Sequence, residues 1–268
     1  MVVFPNAKIN IGLRVLNKRN DGFHNIESGM FPLNWKDILE IIPSGESSFE
    51  SSGLEINATK DDNLVWKSYL MMRNRYDIPP LKIYLHKNIP PGTGLGGGSS
   101  DCAFTIKAIN KLFKLNLENQ EMEGIASELG SDCPFFIQNK PSFVSGTGTT
   151  LATLDHTMRE KWVIVVNPGI NISTKSAYSN LKGTESKETD LKNTLSGPVD
   201  DWKNTVVNDF EPSILSTHKQ ISKLKTSMYE SGAEYASMSG SGSSVYGIFD
   251  IPISLEFGMS SWSGPILV

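Results

Sequence analysis

A run of glycines between a predicted strand and a predicted helix constrains the fold of this chain more than any other feature. The segment Gly92-Thr93-Gly94-Leu95-Gly96-Gly97-Gly98 contains five glycines and leads directly into Ser99-Ser100-Asp101. Apolar residues alternate over 81–85, which predicts a strand, and they recur with helical spacing over 103–113, which predicts a helix. Glycine permits positive φ and lets successive N–H groups approach an anion, while a helix N-terminus favours negative charge. The segment is therefore interpreted as a phosphate-binding loop, with a flexible linker as the alternative.

Two common phosphate motifs are excluded for this loop. No Gly-Lys-Ser/Thr follows at the spacing of the P-loop, and no early βαβ unit surrounds the glycines as in a dinucleotide-binding fold. The ligand is predicted to be a nucleotide or another phosphate ester.

The charge balance argues against a macromolecular partner of high charge. The chain has 268 residues and a net charge of −4, with an isoelectric point near 5.6, so no broad surface for nucleic acid or anionic membrane is expected. A small-molecule partner is predicted instead. Whether the chain is a monomer or a homodimer stays open at this stage.

Cysteine use and the N-terminus predict a cytoplasmic protein. Cys102 and Cys133 are the two cysteines, and neither belongs to a CxxC or Cys/His cluster, so no disulfide framework is expected. Residues 1–5 lack a basic region and a long apolar core, and no apolar run approaches the ~20 residues of a membrane span.

Periodicity along the chain predicts an alternation of strands and helices. Residues 7–15 alternate as in a half-buried strand, with Lys8 and Asn10 on the polar face. The other expected elements are a loop at 44–53, a helix capped by 61–63 that ends before Pro79, a helix over 118–129 ending at Gly130, a strand at 162–166 that opens a second half, a helix over 212–231 and a strand at 245–249. The polar stretch 182–200 is interpreted as a substrate-entrance loop or, equally, as exposed decoration.

Three groups of residues are candidates for chemistry beyond phosphate binding. Asp132 follows a helix at a constrained turn and could accept a hydroxyl proton, although an Asp before Pro134 is also an ordinary helix cap. Lys8 could stabilise charge on transferring phosphates, and a solvated lysine is the alternative. Phe23 beside His24 suits a heterocyclic base, although such pairs also simply pack.

Taken together and in order, these motifs resemble one pattern. The segments Pro5–Asn10, Asp21–His24, Pro90–Asp101, Gly130–Phe135 and Ser239–Gly242 are similar to those of the superfamily of galactokinase, homoserine kinase, mevalonate kinase and phosphomevalonate kinase. The resemblance covers residues 5 to about 249 and implies an α+β fold with two domains. These are an N-terminal ribosomal-protein-like α/β domain over 1–155 and a C-terminal ferredoxin-like α/β domain over 156–268, with the active site between them.

The resemblance also implies an activity and a site. It implies transfer of a phosphoryl group from ATP, with Mg²⁺, to the C2 hydroxyl of 4-diphosphocytidyl-2-C-methyl-D-erythritol in the non-mevalonate isoprenoid pathway. Asp132 is the implied base, with Lys8 beside it. The implied ATP-binding residues are Asn63, Lys87, Pro90, Gly92, Gly94, Leu95, Gly96, Gly97, Gly98, Ser99 and Ser100. The implied acceptor-binding residues are Asn10, Phe23, His24, Thr174 and Tyr178, with Phe23 and Tyr178 sandwiching the cytosine and His24 reading its edge.

One departure and two rival functions accompany this interpretation. Phe23 stands where tyrosine is usual in the family, which keeps a stacking face and removes a hydroxyl. The metal ligands are left open, with Ser99 or Ser100 as candidates beside phosphate oxygens and water. The rivals are a kinase of the same superfamily with another acceptor, such as homoserine, and a catalytically silent nucleotide-binding protein on the same fold.

Overall fold

The computed structural model describes residues 1–156, 158–181 and 190–267. The strands are β1 (Val2–Val3), β2 (Asn6–Lys18), β3 (His24–Lys36), β4 (Ile38–Pro43), β5 (Ser48–Gly53), β6 (Leu81–Lys87), β7 (Ser142–Ser145), β8 (Thr150–Thr153), β9 (Trp162–Asn167), β10 (Tyr235–Met238), β11 (Val245–Phe249) and β12 (Ser260–Pro265). The helices are α1 (Leu64–Tyr76), α2 (Gly97–Leu112), α3 (Asn119–Ser127), α4 (Phe135–Gln138), α5 (Thr174–Ser179), α6 (Leu191–Ser196), α7 (Glu211–Thr217) and α8 (Lys219–Glu230).

The chain divides into two compact units, each built from several segments. The first unit comprises Met1–Ala7, Trp35–Pro91 and Gly96–Asn139, and the second comprises Lys8–Asn34, Gly92–Leu95 and Lys140–Val268. The glycine loop therefore contributes residues to both units. The predicted division into 1–155 and 156–268 stays a prediction.

The first unit is a four-stranded sheet with helices. Its strand order is β1-β4-β6-β5, with β4 antiparallel to β6 and β5 parallel to it. A parallel pair needs a long crossover connection, and α1 supplies it. Asn63 caps α1 as expected, because its side chain accepts a hydrogen bond from the Val65 N–H at 2.9 Å. Val65, Tyr69 and Met72 of α1 are buried, so this face of the helix belongs to the core.

The second unit contains two sheets, β2-β3-β7-β8 and β10-β11-β9-β12. Its core joins apolar residues from β2 (Leu13, Val15) and from β9 (Ile164, Val166) to Phe210 and the buried face of α8. Side chains from distant parts of the sequence thus share one core.

Several sequence expectations differ from the observed elements. The predicted loop at 44–53 is wrong over Ser48–Gly53, which forms β5 because its backbone pairs with β6. The predicted helix over 212–231 is two helices, since His218 has non-helical backbone angles of φ −111° and ψ 81°. Helix α3 ends at Ser127, with Glu128 rather than Gly130 at the C-cap position.

The first long strand and the polar stretch near 190 also differ from expectation. Strand β2 is buried on both faces over Asn6–Val15, so the half-buried interpretation is wrong. Residues 182–189 lie outside the described residues. Beyond them, Leu191 and Leu195 of α6 are 1% and 0% exposed, which rules out exposed decoration for this part. Within the described ranges, no helix has the length and hydropathy needed to cross a membrane.

Candidate active site

The backbone of the glycine loop is one that side chains tolerate poorly. Gly92, Gly94 and Gly96 have φ values of +71°, +83° and +69°. A Cβ atom on Gly94 would lie 2.0 Å from the carbonyl oxygen of Ser239. Glycine is required at this position by both the dihedral angle and the close approach.

Hydrogen bonds to the backbone hold the part of the loop that belongs to the second unit. The Lys8 N–H donates to the Leu95 carbonyl at 2.9 Å and the Ser244 N–H donates to the Thr93 carbonyl at 3.1 Å. The Ser239 hydroxyl donates to the Gly94 carbonyl at 2.8 Å. Ser239 belongs to a segment that carries the family resemblance, and the structure shows that Ser239 and Ser244 hold the glycine loop in place.

The part of the loop that belongs to the first unit opens helix α2. Gly96 occupies the N-cap position in the left-handed conformation and, being glycine, supplies no side-chain cap. The N–H groups of the first turn of a helix favour an anion. The Ser100 hydroxyl in the same turn is buried and has no hydrogen-bond partner among the described residues. A hydroxyl oxygen beside a helix N-terminus fits a phosphate group and the hard cation that accompanies it.

Lys8 and Asn10 lie together on β2 in the second unit. Both are 2% exposed, which rules out a solvated lysine, and the Lys8 ammonium donates a hydrogen bond to Oδ1 of Asn10. The Asn10 amide in turn donates to the Ser28 hydroxyl at 2.9 Å, and the Asn10 N–H donates to Ser239 Oγ at 3.2 Å. A buried network of this kind fixes the orientation of the ammonium group.

The aromatic candidates also lie in the second unit. The rings of His24 and Tyr178 are stacked with centroids 5.0 Å apart, and Tyr178 meets Phe210 edge-on at 4.9 Å. Phe23 is 66% exposed. Thr174, which precedes Tyr178 on α5, lies within hydrogen-bond distance of the Ser241 hydroxyl, at 3.2 Å. The structure thus brings His24 and Tyr178 together and leaves the Phe23 ring largely open to solvent.

The remaining candidates lie in the first unit. Asp132 is half-buried in the turn before α4. That helix has Pro134 at its N-cap, and whether Asp132 acts as a base or as a helix cap stays a prediction. Asn63 caps α1, and Lys87 forms ion pairs with Asp37 and Asp101. Sequence reasoning missed Asp37, which lies 50 positions from Lys87 in an unremarkable Trp-Lys-Asp segment.

Comparison with known proteins identifies the class that this fold and this loop define. The GHMP kinase N-terminal domain matches residues 63–140, and the GHMP kinase C-terminal domain matches residues 193–253. The phosphomevalonate kinase of Streptococcus pneumoniae superposes with a TM-score of 0.69 over 94% of this chain and 93% of its own, at 14% identity. The class is that of the GHMP kinases, and the predicted α+β fold of this class is confirmed.

Closer relatives narrow the class. A 4-diphosphocytidyl-2-C-methyl-D-erythritol kinase from Parabacteroides distasonis is 46% identical over 94% of this chain and 93% of its own. A protein of the same name from Cytophaga hutchinsonii is 46% identical over 93% of each chain. The crystal structure of a 4-(cytidine 5'-diphospho)-2C-methyl-D-erythritol kinase superposes with a TM-score of 0.82 over 99% of both chains, at 24% identity. The chain belongs to the family of 4-diphosphocytidyl-2-C-methyl-D-erythritol kinases.

Proposed function

We propose that the protein transfers the γ-phosphoryl group of ATP to the C2 hydroxyl of 4-diphosphocytidyl-2-C-methyl-D-erythritol. The relatives that carry this name cover nearly the whole chain. The observation that carries the proposal is the glycine loop, which leads into a helix whose N-cap is Gly96 and whose first turn holds the Ser100 hydroxyl, buried and without a hydrogen-bond partner in the described part of the chain. That arrangement suits the phosphates of a nucleotide.

ATP binding is assigned to the glycine loop and the residues around it. The N–H groups of the first turn of α2 face the phosphates in this proposal, and Gly98 leaves room for close approach because it is exposed and has no side chain. Ser99 and Ser100 are the residues that would hold Mg²⁺ together with phosphate oxygens and water. The ion neutralises charge on the phosphates when it is bound. Asn63, Lys87 and Pro90 are proposed to border the nucleotide.

Asp132 is the proposed base of the reaction. It takes the proton of the C2 hydroxyl as the hydroxyl oxygen bonds to the γ-phosphorus, and ADP leaves with the electrons of the broken P–O bond. Lys8 supplies a fixed positive charge for the acceptor oxygen or the transferring group. Its burial and its hydrogen bond to Asn10 support this role, because a preorganised charge needs no rearrangement during the reaction.

Binding of the acceptor is assigned to Asn10, Phe23, His24, Thr174 and Tyr178, with Asn10 helping to place the acceptor and Phe23, His24 and Tyr178 holding its cytosine. One face of Tyr178 carries the His24 ring, so a cytosine that stacks on that face takes the place of His24. In this proposal His24 then moves to the edge of the base, where its two ring nitrogens can form hydrogen bonds.

An assay of ADP release tests the proposal directly. The purified protein is given ATP and magnesium with the cytidylated acceptor, and parallel reactions contain homoserine or mevalonate. Turnover with the cytidylated acceptor alone is expected. Turnover with another alcohol would support kinase activity and contradict the proposed cytidine site. No turnover with any of the acceptors would favour the catalytically silent nucleotide-binding alternative.

A further inference from the structure

Three buried charged side chains meet in the first unit beneath the start of helix α2. The ammonium group of Lys87, at the end of β6, lies between a carboxylate oxygen of Asp37 and Oδ2 of Asp101, the latter at 2.7 Å. Asp37, Lys87 and Asp101 are 0%, 2% and 2% exposed. We call these residues the acidic–lysine cluster. Buried charge is costly unless it is paired, so the position of each group in the cluster is tightly constrained.

The acidic–lysine cluster contacts the backbone before the glycine loop and includes a residue of the helix that follows it. On the entry side, Oδ1 of Asp37 accepts hydrogen bonds from the N–H groups of Asn88 and Ile89, at 2.6 and 2.9 Å. On the exit side, Asp101 belongs to α2. The Lys87–Asp101 pair, 14 positions apart in sequence, therefore closes the segment that contains the whole loop.

The start of α2 is shaped to accept the lysine. A Cβ atom on Gly97 would lie 3.2 Å from Lys87 Nζ and 3.0 Å from Ile89 Cγ2. The absence of a side chain at Gly97 thus lets the first turn of the helix lie directly against the ammonium group. Burial alone would lower the pKa of Lys87, but the carboxylates of Asp101 and Asp37 outweigh that effect and raise it. The lysine is therefore held as a cation.

From this geometry we propose that Asp101 is a positioning residue, which acts through Lys87 and Asp37 to fix both ends of the glycine loop and the first turn of α2. The fixed loop presents its N–H groups to the phosphates of ATP, and in naming ATP the inference rests on the proposed function. Ordering the loop before binding removes a cost that ATP would otherwise have to offset. Asp101 itself touches neither ATP nor the acceptor in this proposal.

The test compares three variants of the full-length protein. Asp101→Ala releases α2 from Lys87 and leaves the Lys87–Asp37 pair with balanced charge, so the protein is expected to fold. Asp101→Asn keeps one oxygen that can accept a hydrogen bond from Lys87. Asp77→Asn is the matched control, because Asp77 is exposed and has φ +50°, a conformation that asparagine tolerates.

Two readouts separate positioning from general stability. Hydrogen–deuterium exchange is followed in peptides that cover 88–104 and, for comparison, in peptides of β9–β11. ATP affinity is measured by calorimetry without an acceptor. For Asp101→Ala we expect faster exchange confined to 88–104 and ATP affinity lowered by about tenfold, because ATP must then offset the cost of ordering the loop. Asp101→Asn is expected to keep most of the slow exchange over 88–104 and most of the ATP affinity. Asp77→Asn is expected to match the wild type in both readouts.

Other outcomes would overturn the inference or separate it from the proposed function. Unchanged exchange over 88–104 in Asp101→Ala, or faster exchange spread evenly over the protein, would overturn it. Localised exchange without any change in ATP affinity would overturn the link to phosphate binding. If the wild type binds no ATP, the proposed function fails, while the exchange experiment still decides whether Asp101 positions the loop.

Discussion

Asp132 is the residue on which the proposed phosphoryl transfer depends most directly. For Asp132→Asn we expect turnover to fall by a factor on the order of 10² to 10⁴, because a positioned acid or base contributes about this much. ATP affinity is expected to stay within about twofold of the wild type, since the phosphates bind elsewhere. Steady-state kinetics and calorimetry measure the two quantities. A loss of folding in parallel with the loss of turnover would instead indicate a structural role.

His24 carries the proposed recognition of the cytosine edge. For His24→Ala we expect the KM of the cytidylated acceptor to rise by about tenfold, the size expected for one lost hydrogen bond to the base edge. The KM of ATP is expected to stay constant and serves as the internal control. An unchanged KM for the acceptor would remove His24 from the cytidine site.

The protonation of Asp101 predicts a pH dependence of stability. Burial raises the pKa of Asp101 from 3.8 to about 7, against the effect of Lys87 and with the help of Asp37. Between these pH values the folded protein holds a proton that the unfolded chain releases, so this group lowers the free energy of unfolding as the pH rises. The unfolding free energy of the wild type minus that of Asp101→Asn is therefore expected to fall from pH 5 to pH 8. Urea denaturation at several pH values measures it, and a constant difference would contradict the pKa.

The sequence predicts which residues belong to the candidate site better than it predicts their burial and their hydrogen-bond partners. Lys8 and Asp132 were singled out from motifs, yet whether Lys8 was solvated could not be decided locally. The environment of Lys8 is set by its partner Asn10, which forms hydrogen bonds with Ser28 and Ser239 from distant parts of the chain. The partners of Lys87 were missed for the same reason, because long-range pairing of charges leaves no local pattern.

At the scale of elements, the glycine loop depends on close contact with the segment after β10. Gly94→Ala places a Cβ atom on the Ser239 carbonyl and forces a side chain into positive φ. We expect the free energy of unfolding to fall by about 1–3 kcal/mol, as for other strained backbones, and ATP affinity to fall by about tenfold or more. Denaturation and calorimetry check the two effects.

Gly45→Ala provides the control for that prediction. A Cβ atom on Gly45 would meet no other atom within 4 Å, and the φ of Gly45 is not positive. The same substitution is therefore expected to leave stability and ATP affinity nearly unchanged. Equal effects of the two substitutions would mean that the close contact at Gly94 is not what the loop requires.

Elements with strong local signals were predicted, and elements defined by their neighbours were not. The sequence predicts β2 from its alternating residues and α1 from the cap at its start. Strand β5 has the sequence Ser-Phe-Glu-Ser-Ser-Gly, which carries no strong strand propensity and becomes a strand through pairing with β6. The break at His218 has no glycine or proline to mark it, so a continuous helix was the natural expectation.

At the scale of the molecule, the second unit is assembled from segments far apart in sequence. Tyr246 donates a hydrogen bond to the Asn10 carbonyl at 2.9 Å, and Leu13 and Val15 lie in one core with Phe210. A fragment of residues 156–268 would expose that core. We expect it to show no cooperative thermal transition by circular dichroism, in contrast to the full chain. A cooperative transition in the fragment would favour the predicted domain boundary at 155/156.

The acidic–lysine cluster also limits how this sequence can change over time. Loss of Lys87 alone would leave two buried carboxylates without their cation. Loss of Asp37 alone would leave the N–H groups of Asn88 and Ile89 without an acceptor. Single changes at positions 37 and 87 are therefore disfavoured, whereas exchange of all three residues for apolar ones can be neutral. Among descendants of this chain, positions 37 and 87 should accordingly be inherited or replaced together, while position 101 accepts asparagine.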